Sequence, residues 1–202
     1  QVGLLGLDFA TRRRNRANGV VSTAAAGVTT VRVQQSFGNC PQHIQRRQVH
    51  RLAPPGQHVS AAPHVASTLD ARARRLVAEA DTFFVATTGG GFGIDISHRG
   101  GPAGFVTIDG DTLTVPDFNG NRFFNTLGNL LLDARAALLF IDFDQGHLLE
   151  LRGRAEVLWQ IKPGTVGQAD GRRWRFHPDS AVWTEAALPL RWEPLAQEGA
   201  LR

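Results

Sequence analysis

The chain of 202 residues has one cysteine, one lysine, no methionine and no tyrosine. A lone thiol, Cys40, excludes an internal disulfide and any cysteine-built zinc or iron–sulfur centre within one chain, and it suits a reducing compartment. No apolar run approaches the ~20 residues that cross a bilayer. The opening Gln1-Val2-Gly3-Leu4-Leu5-Gly6 has neither the basic lead nor the cleavage site of a secretory signal. A cytoplasmic protein without a membrane partner is expected. The G-x-G-x-x-G fingerprint of nicotinamide-binding folds is missing too.

The near-absence of lysine and the lack of tyrosine also explain a pI of 10.8. The net charge is only +4, but 21 of the 22 basic residues are arginine, which stays protonated to very high pH. The clusters Arg12-Arg13-Arg14-Asn15-Arg16 and Arg46-Arg47 have no interleaved aromatics to stack bases, so nucleic acid is not an expected partner. An arginine-rich edge facing phosphate-bearing ligands or a partner subunit is expected instead.

What is present reads as short strands with few helices. Ser67-Thr68-Leu69-Asp70 has the form of a helix cap, and Ala73, Leu76, Val77 and Ala80 follow at helical spacing, which predicts a helix over 68–80. Strands are predicted at 82–87, 93–98, 104–108 and 112–115, the last two joined by Asp109-Gly110, a tight-hairpin signal. Further strands follow at 135–143, 147–158, 174–177 and 181–184. Residues 28–33 alternate like a half-exposed strand, and a short helix is expected to run through Ile44. Residues 51–66 hold three prolines without periodicity and read as a linker. Antiparallel strands with an intervening helix suggest a closed barrel, which removes unpaired edges.

An internal repeat lies at an offset of 134: Leu4, Leu5, Asp8 and Phe9 recur as Leu138, Leu139, Asp142 and Phe143, and Gly19 meets Gly153. The pattern is a buried strand, a turn, then a long strand with glycine at a bend or bulge. Two explanations stand: a first barrel unit lacking its opening half, which we prefer, or a divergent short element that pairs with the main barrel.

The stretch from Pro116 to Leu130 reads as a strand end, a polar turn and a helix over about 121–132. On a helical wheel Phe123, Leu127, Leu130 and Leu131 share one face, while Arg122, Asn125, Thr126 and Asn129 fall nearly opposite. Free amides and the positive dipole end at such a start favour an anion, and an arginine fork grips phosphate oxygens. A capped amphipathic helix explains the same spacing. Upstream, Ser97-His98-Arg99-Gly100-Gly101 offers strand amides and two glycines that admit a flat ligand.

Taken in order, Thr82–Thr87, Asp95-Ile96-Ser97-His98-Arg99-Gly100-Gly101-Pro102, Val115–Thr126 and Leu138–Phe143 resemble the pyridoxamine 5'-phosphate oxidase-like family of FMN-binding split β-barrels. The resemblance covers about residues 67–195 and is to the bacterial oxidase-related branch. It implies a mainly β fold with a few helices, with Arg122, Asn125 and Thr126 near the FMN phosphate and Ser97, His98, Arg99 and Gly100 beside the ring. Pro116 and Asp117 complete the expected cofactor set; Asp117 would position substrate, bond a ring nitrogen or merely form a turn. Where the biosynthetic enzyme carries basic residues at the helix start, this chain has Asn125 and Thr126. The resemblance also suggests that Arg191 and Trp192 reach the site.

The expected organisation is a remnant of a first split-barrel unit at 1–50, a linker at 51–66 and a complete FMN-binding domain at 67–202. The implied activity is FMN-dependent two-electron oxidation or reduction of a small molecule, with an external electron donor and a homodimer. The alternative is a flavin- or haem-binding module of the same fold without turnover, for which His98 is a candidate ligand although no second axial ligand stands out. No metal site and no catalytic residue is assigned. Cys40, read as a buried structural thiol, sits in a segment expected to wall the flavin pocket. Of Arg152, Arg154, Arg172, Arg173 and Arg191 on the closing strands, most are expected to be solvated or paired with Glu150, Glu156 and Glu185.

Overall fold

The computed structural model describes residues 1–38, 40–54, 56–120, 123–159 and 171–195. Its elements are β1 (Val2–Asp8), β2 (Arg13–Ala25), β3 (Val28–Gly38), β4 (Arg47–Arg51), β5 (His64–Ala66), α1 (Ala71–Glu79), β6 (Thr82–Thr88), β7 (Ile94–Gly100), β8 (Thr107–Asp109), β9 (Thr112–Pro116), α2 (Asn125–Leu132), β10 (Arg135–Ile141), β11 (Leu148–Leu158), β12 (Arg173–Thr184) and β13 (Leu190–Pro194). The fold is mainly β, as the sequence implies. Among the described residues no helix is long and apolar enough to cross a membrane.

Strands β1-β2-β3 form one antiparallel sheet, β4 pairs with β13, and the large sheet runs β7-β6-β10-β11-β12-β9-β8, with β5 also on the β12 edge. The stretch read as a linker thus ends in β5. The expected barrel does not close: among the described residues no ladder joins β7 to the β8–β9 hairpin. Side chains bridge that split, Arg99 on β7 binding Asp117 just beyond β9.

Alternation on the strands and the apolar stripe of each helix supply one main core. Phe83 and Phe140 stack at 5.0 Å, and Trp174 and Phe176 join them fully buried. Ala73 and Val77 of α1 and Leu127 and Leu130 of α2 close the ends. Each large apolar side chain so buried contributes roughly 1.5–3 kcal/mol. Asp70 caps α1, its Oδ1 accepting the Ala73 amide at 2.9 Å.

Further expectations are corrected. The strands expected at 174–177 and 181–184 are one, β12: Pro178 suggests a break, but the ladder absorbs it by bulging out Asp179 between Arg152↔Ser180 and Gly153↔Pro178. The short helix through Ile44 is a turn, with His43 in the left-handed region at φ 62°. Helix α2 starts at Asn125, because Phe124 is also left-handed, at φ 56°; residues 121 and 122 of the expected span lie outside the described residues.

The repeat is structural. Val2↔Gly19 in the first hairpin corresponds to Ala136↔Gly153 in the second, register for register. Asp8 Oδ1 accepts the amides of Ala10 and Thr11, and Asp142 Oδ1 accepts those of Asp144 and Gln145. Arg12 and Gly146 are both left-handed. The bulge recurs as well, after Asn18 in one copy and after Arg152 in the other. A β-carbon on Gly19 would collide with the Arg32 carbonyl, and one on Gly153 with the equivalent His177 carbonyl. Equivalent parts meet each other, as across a twofold axis. Phe9 packs on Phe143 edge to face at 5.4 Å, and Gln48 of β4 pairs with Glu193 of β13.

Candidate functional site

The open side of the main sheet, between β7 and the chain leaving β9, forms a cleft whose far wall is the N-terminal sheet. Ser97, His98, Arg99 and Gly100 of β7 line it, and so do Pro116 and Asp117 at the end of β9 and Asn125 and Thr126 at the start of α2. The sequence grouped all eight; Arg122, the ninth, lies outside the described residues. Arg14, Arg16, Gln42, His43 and Arg172 join them.

Alternation puts Arg14, Arg16 and Asn18 on the same face of β2. Arg16 donates to Asp95 Oδ2 at 2.7 Å with both side chains buried, and Asn18 donates to Asp95 Oδ1 at 3.0 Å. Burial pulls the Arg16 guanidinium below its usual pKa, and Asp95 opposes that. Ser97 Oγ donates to the same carboxylate, and Thr126 Oγ1 donates to Ser97 Oγ at 3.1 Å. The wheel that set Thr126 against the apolar face is therefore wrong: Thr126 is 1% exposed, while Phe123 and Leu131 are exposed. The helix lies with its start dug into the cleft, so a polar position becomes an interior one. Asn129 bonds Thr87 Oγ1 rather than any ligand face.

Asp117 is a bridge between cations. Its Oδ1 accepts from Arg99 at 2.8 Å and its Oδ2 from Arg172 at 3.2 Å, and Arg172 also covers the Phe124 ring at 5.0 Å. Arg172, expected to be solvated or paired with glutamate, is instead a cleft residue. Arg175 takes Glu156, and Glu185 takes Arg72.

His98 is buried against Phe9 and Phe84, and its Nδ1 faces Arg14 Nη1 at 2.9 Å. Since a guanidinium only donates, the ring proton belongs on Nε2, which is buried without a partner. Burial first, then the Arg14 and Arg99 charges, lower its pKa to about 3, so it is neutral in ordinary buffers. Arg14 also donates to the Cys40 carbonyl at 2.8 Å. Cys40 itself is half-buried, and the segment after it forms part of the wall: His43 stacks on Phe118 at 5.4 Å. Arg191 and Trp192 do not line the cleft; Trp192 packs in a second cluster with Phe9 and Ile44.

Among the described residues the charges at the cleft are four guanidinium groups, Arg14, Arg16, Arg99 and Arg172, against two carboxylates, Asp95 and Asp117. The surplus, four minus two, matches a phosphate of about two negative charges. Buried unpartnered nitrogens, Arg14 Nε, Arg99 Nε and His98 Nε2, add donors but no acceptor. A β-carbon on Gly100 would strike the His43 carbonyl, so only glycine admits that close approach. The cavity volume is about 90 Å³, below the ~300–1,000 Å³ of sites that enclose a whole cofactor-sized ligand. A space of that size has room for no more than one end of such a ligand. A roomier hollow of about 570 Å³ lies beside Trp183 and Trp192, but its arginines are answered by carboxylates, Arg47 by Asp81, Arg72 by Glu185 and Arg75 by Glu79. Among the described residues no cluster could hold a metal ion.

A main sheet left open between β7 and the β8–β9 hairpin, with α2 starting at that opening, is the arrangement of a split-barrel fold. Residues 69–163, just under half of the chain, match the profile of the family described as pyridoxamine 5'-phosphate oxidase, which supports the resemblance drawn from the sequence. No curated protein matches the chain in sequence. Similar solved structures include HupZ of Group A Streptococcus, at 15% identity over 55% of this chain and 90% of that one, TM-score 0.43. HutZ, a haem storage protein of Vibrio cholerae, has 11% identity over 58% and 95%, TM-score 0.44. An FAD-binding protein of Mesorhizobium loti has 11% identity over 62% and 99%, TM-score 0.43.

Proposed function

We propose that the chain is an FMN-dependent oxidoreductase acting on a small molecule in the cytoplasm. The observation that supports this reading most is the convergence of Ser97, His98, Arg99, Asp117, Asn125 and Thr126 on one cleft whose described residues carry a positive surplus. Bound FMN would supply two-electron redox chemistry through its ring, with electrons from an external donor. The start of α2, with Thr126 and the first-turn amides, would hold the phosphate end, and β7 with Gly100 would lie along the ring. Neutral His98 would present its Nε2–H as a donor to a ligand acceptor. Arg99, tied to Asp117, keeps a buried Nε–H for the same purpose.

A flavin-binding module without turnover is the second reading, and one observation favours it. Asp95 and Asp117 are locked in ion pairs and His98 is buried, so among the described lining residues the imidazole open to solvent is His43. The test is a visible spectrum of the FMN-reconstituted protein followed by anaerobic addition of NADH or NADPH. Bleaching of the flavin bands, reversed by an oxidising substrate, supports the enzyme. Bound but unreduced flavin supports the module, and failure to take up FMN sinks both.

A further inference from the structure

The two copies of the repeat differ where the first one faces the cleft. Arg14 and Arg16 stand where the second copy has Leu148 and Glu150. Among the described residues, three of the four cleft arginines have carboxylate partners, Arg16 with Asp95 and both Arg99 and Arg172 with Asp117. Arg14 does not: its described partners are the His98 ring, the His98 carbonyl and the Cys40 carbonyl, all neutral. Burial, with Arg16 and Arg99 nearby, lowers its pKa to about 10, which still leaves it charged at neutral pH. A half-buried cation with no counter-charge is costly unless an anion completes it.

We infer that the N-terminal copy has become a built-in second wall of the cleft, and that Arg14 on this wall grips the anionic phosphate of the ligand. The inference rests on the phosphate-ligand reading of the cleft, but not on the ligand being a flavin. It gives residues 1–50 a binding role, and it places both walls of the site in one chain.

The test compares three probes, inorganic phosphate, FMN and phosphate-free riboflavin, on wild type, Arg14→Lys and Arg14→Leu, by thermal shift and by titration. Leucine occupies the equivalent strand position in the second copy, so the Leu variant suits the strand; Lys keeps the charge. The expected result is at least a tenfold loss of phosphate and FMN affinity in Arg14→Leu, partial recovery in Arg14→Lys, and riboflavin binding within twofold of wild type. Phosphate binding that depends on Arg14, with neither flavin bound by wild type, upholds the Arg14 assignment and rejects the flavin reading. Equal losses for FMN and riboflavin, unchanged binding in Arg14→Leu, or no phosphate response in wild type overturns the assignment.

Discussion

Arg16 and Asp95 form a buried ion pair, 2.7 Å apart, that fastens the N-terminal sheet to β7. Asn18 and Ser97 satisfy further lone pairs on the carboxylate. The pair's value lies in completeness, because each charge alone would be stranded in a poorly solvated place.

Removing one partner should therefore cost far more than removing both. Arg16→Met should lose about 3–5 kcal/mol of unfolding free energy. Adding Asp95→Asn to it should restore a large part. Urea unfolding of the two single variants and the double variant checks this through the coupling energy. A double variant as unstable as the sum of the singles would contradict it.

Gly19→Ala and Gly153→Ala should both destabilise, by about 1–3 kcal/mol or more, since each new methyl meets a backbone carbonyl rather than a yielding side chain. The two sites are equivalent in the repeat, so their effects should be alike in kind. Amide exchange should report loosening in β2–β3 for the first variant and in β11–β12 for the second.

The buried His98 predicts an acid sensitivity with a definite sign. Unfolded, its imidazole binds a proton below about pH 6.5; folded, it resists until about pH 3. Between those values the unfolded chain holds more protons, so this residue's contribution is intact above about pH 6.5 and shrinks as pH falls. The slope reaches at most ~1.4 kcal/mol per pH unit. His98→Gln should flatten the wild-type decline between pH 6 and 4 by close to one proton. Parallel stability curves for the two proteins would contradict the burial argument.

Much of this was legible in the sequence. The hairpin at Asp109-Gly110 and the grouping of β7 with the start of α2 follow from local chemistry and from the family resemblance; the helix expected over 68–80 forms too, but it starts at Ala71 because Asp70 is its cap. The bulge could be read because Gly19 and Gly153 occupy one register. The N-terminal wall was missed, although a signal existed. Arg14, Arg16 and Asn18 alternate along a strand and so share a face, but the run was read as one basic cluster and not at period two. Arg172 escaped because its partner, Asp117, lies 55 residues away and no local pattern reports that contact. The depth of Thr126 depends on how α2 lies against β6, β7 and β11, which spacing within the helix does not encode.

The central claim is that this cleft takes the phosphate-bearing end of a flavin nucleotide. Titrating FMN into the apoprotein while following flavin fluorescence tests it most directly. The account predicts saturation at one FMN per chain, with Thr126→Val and Arg14→Leu each weakening binding tenfold or more. A linear, non-saturating titration, or saturation that both substitutions leave untouched, would contradict it.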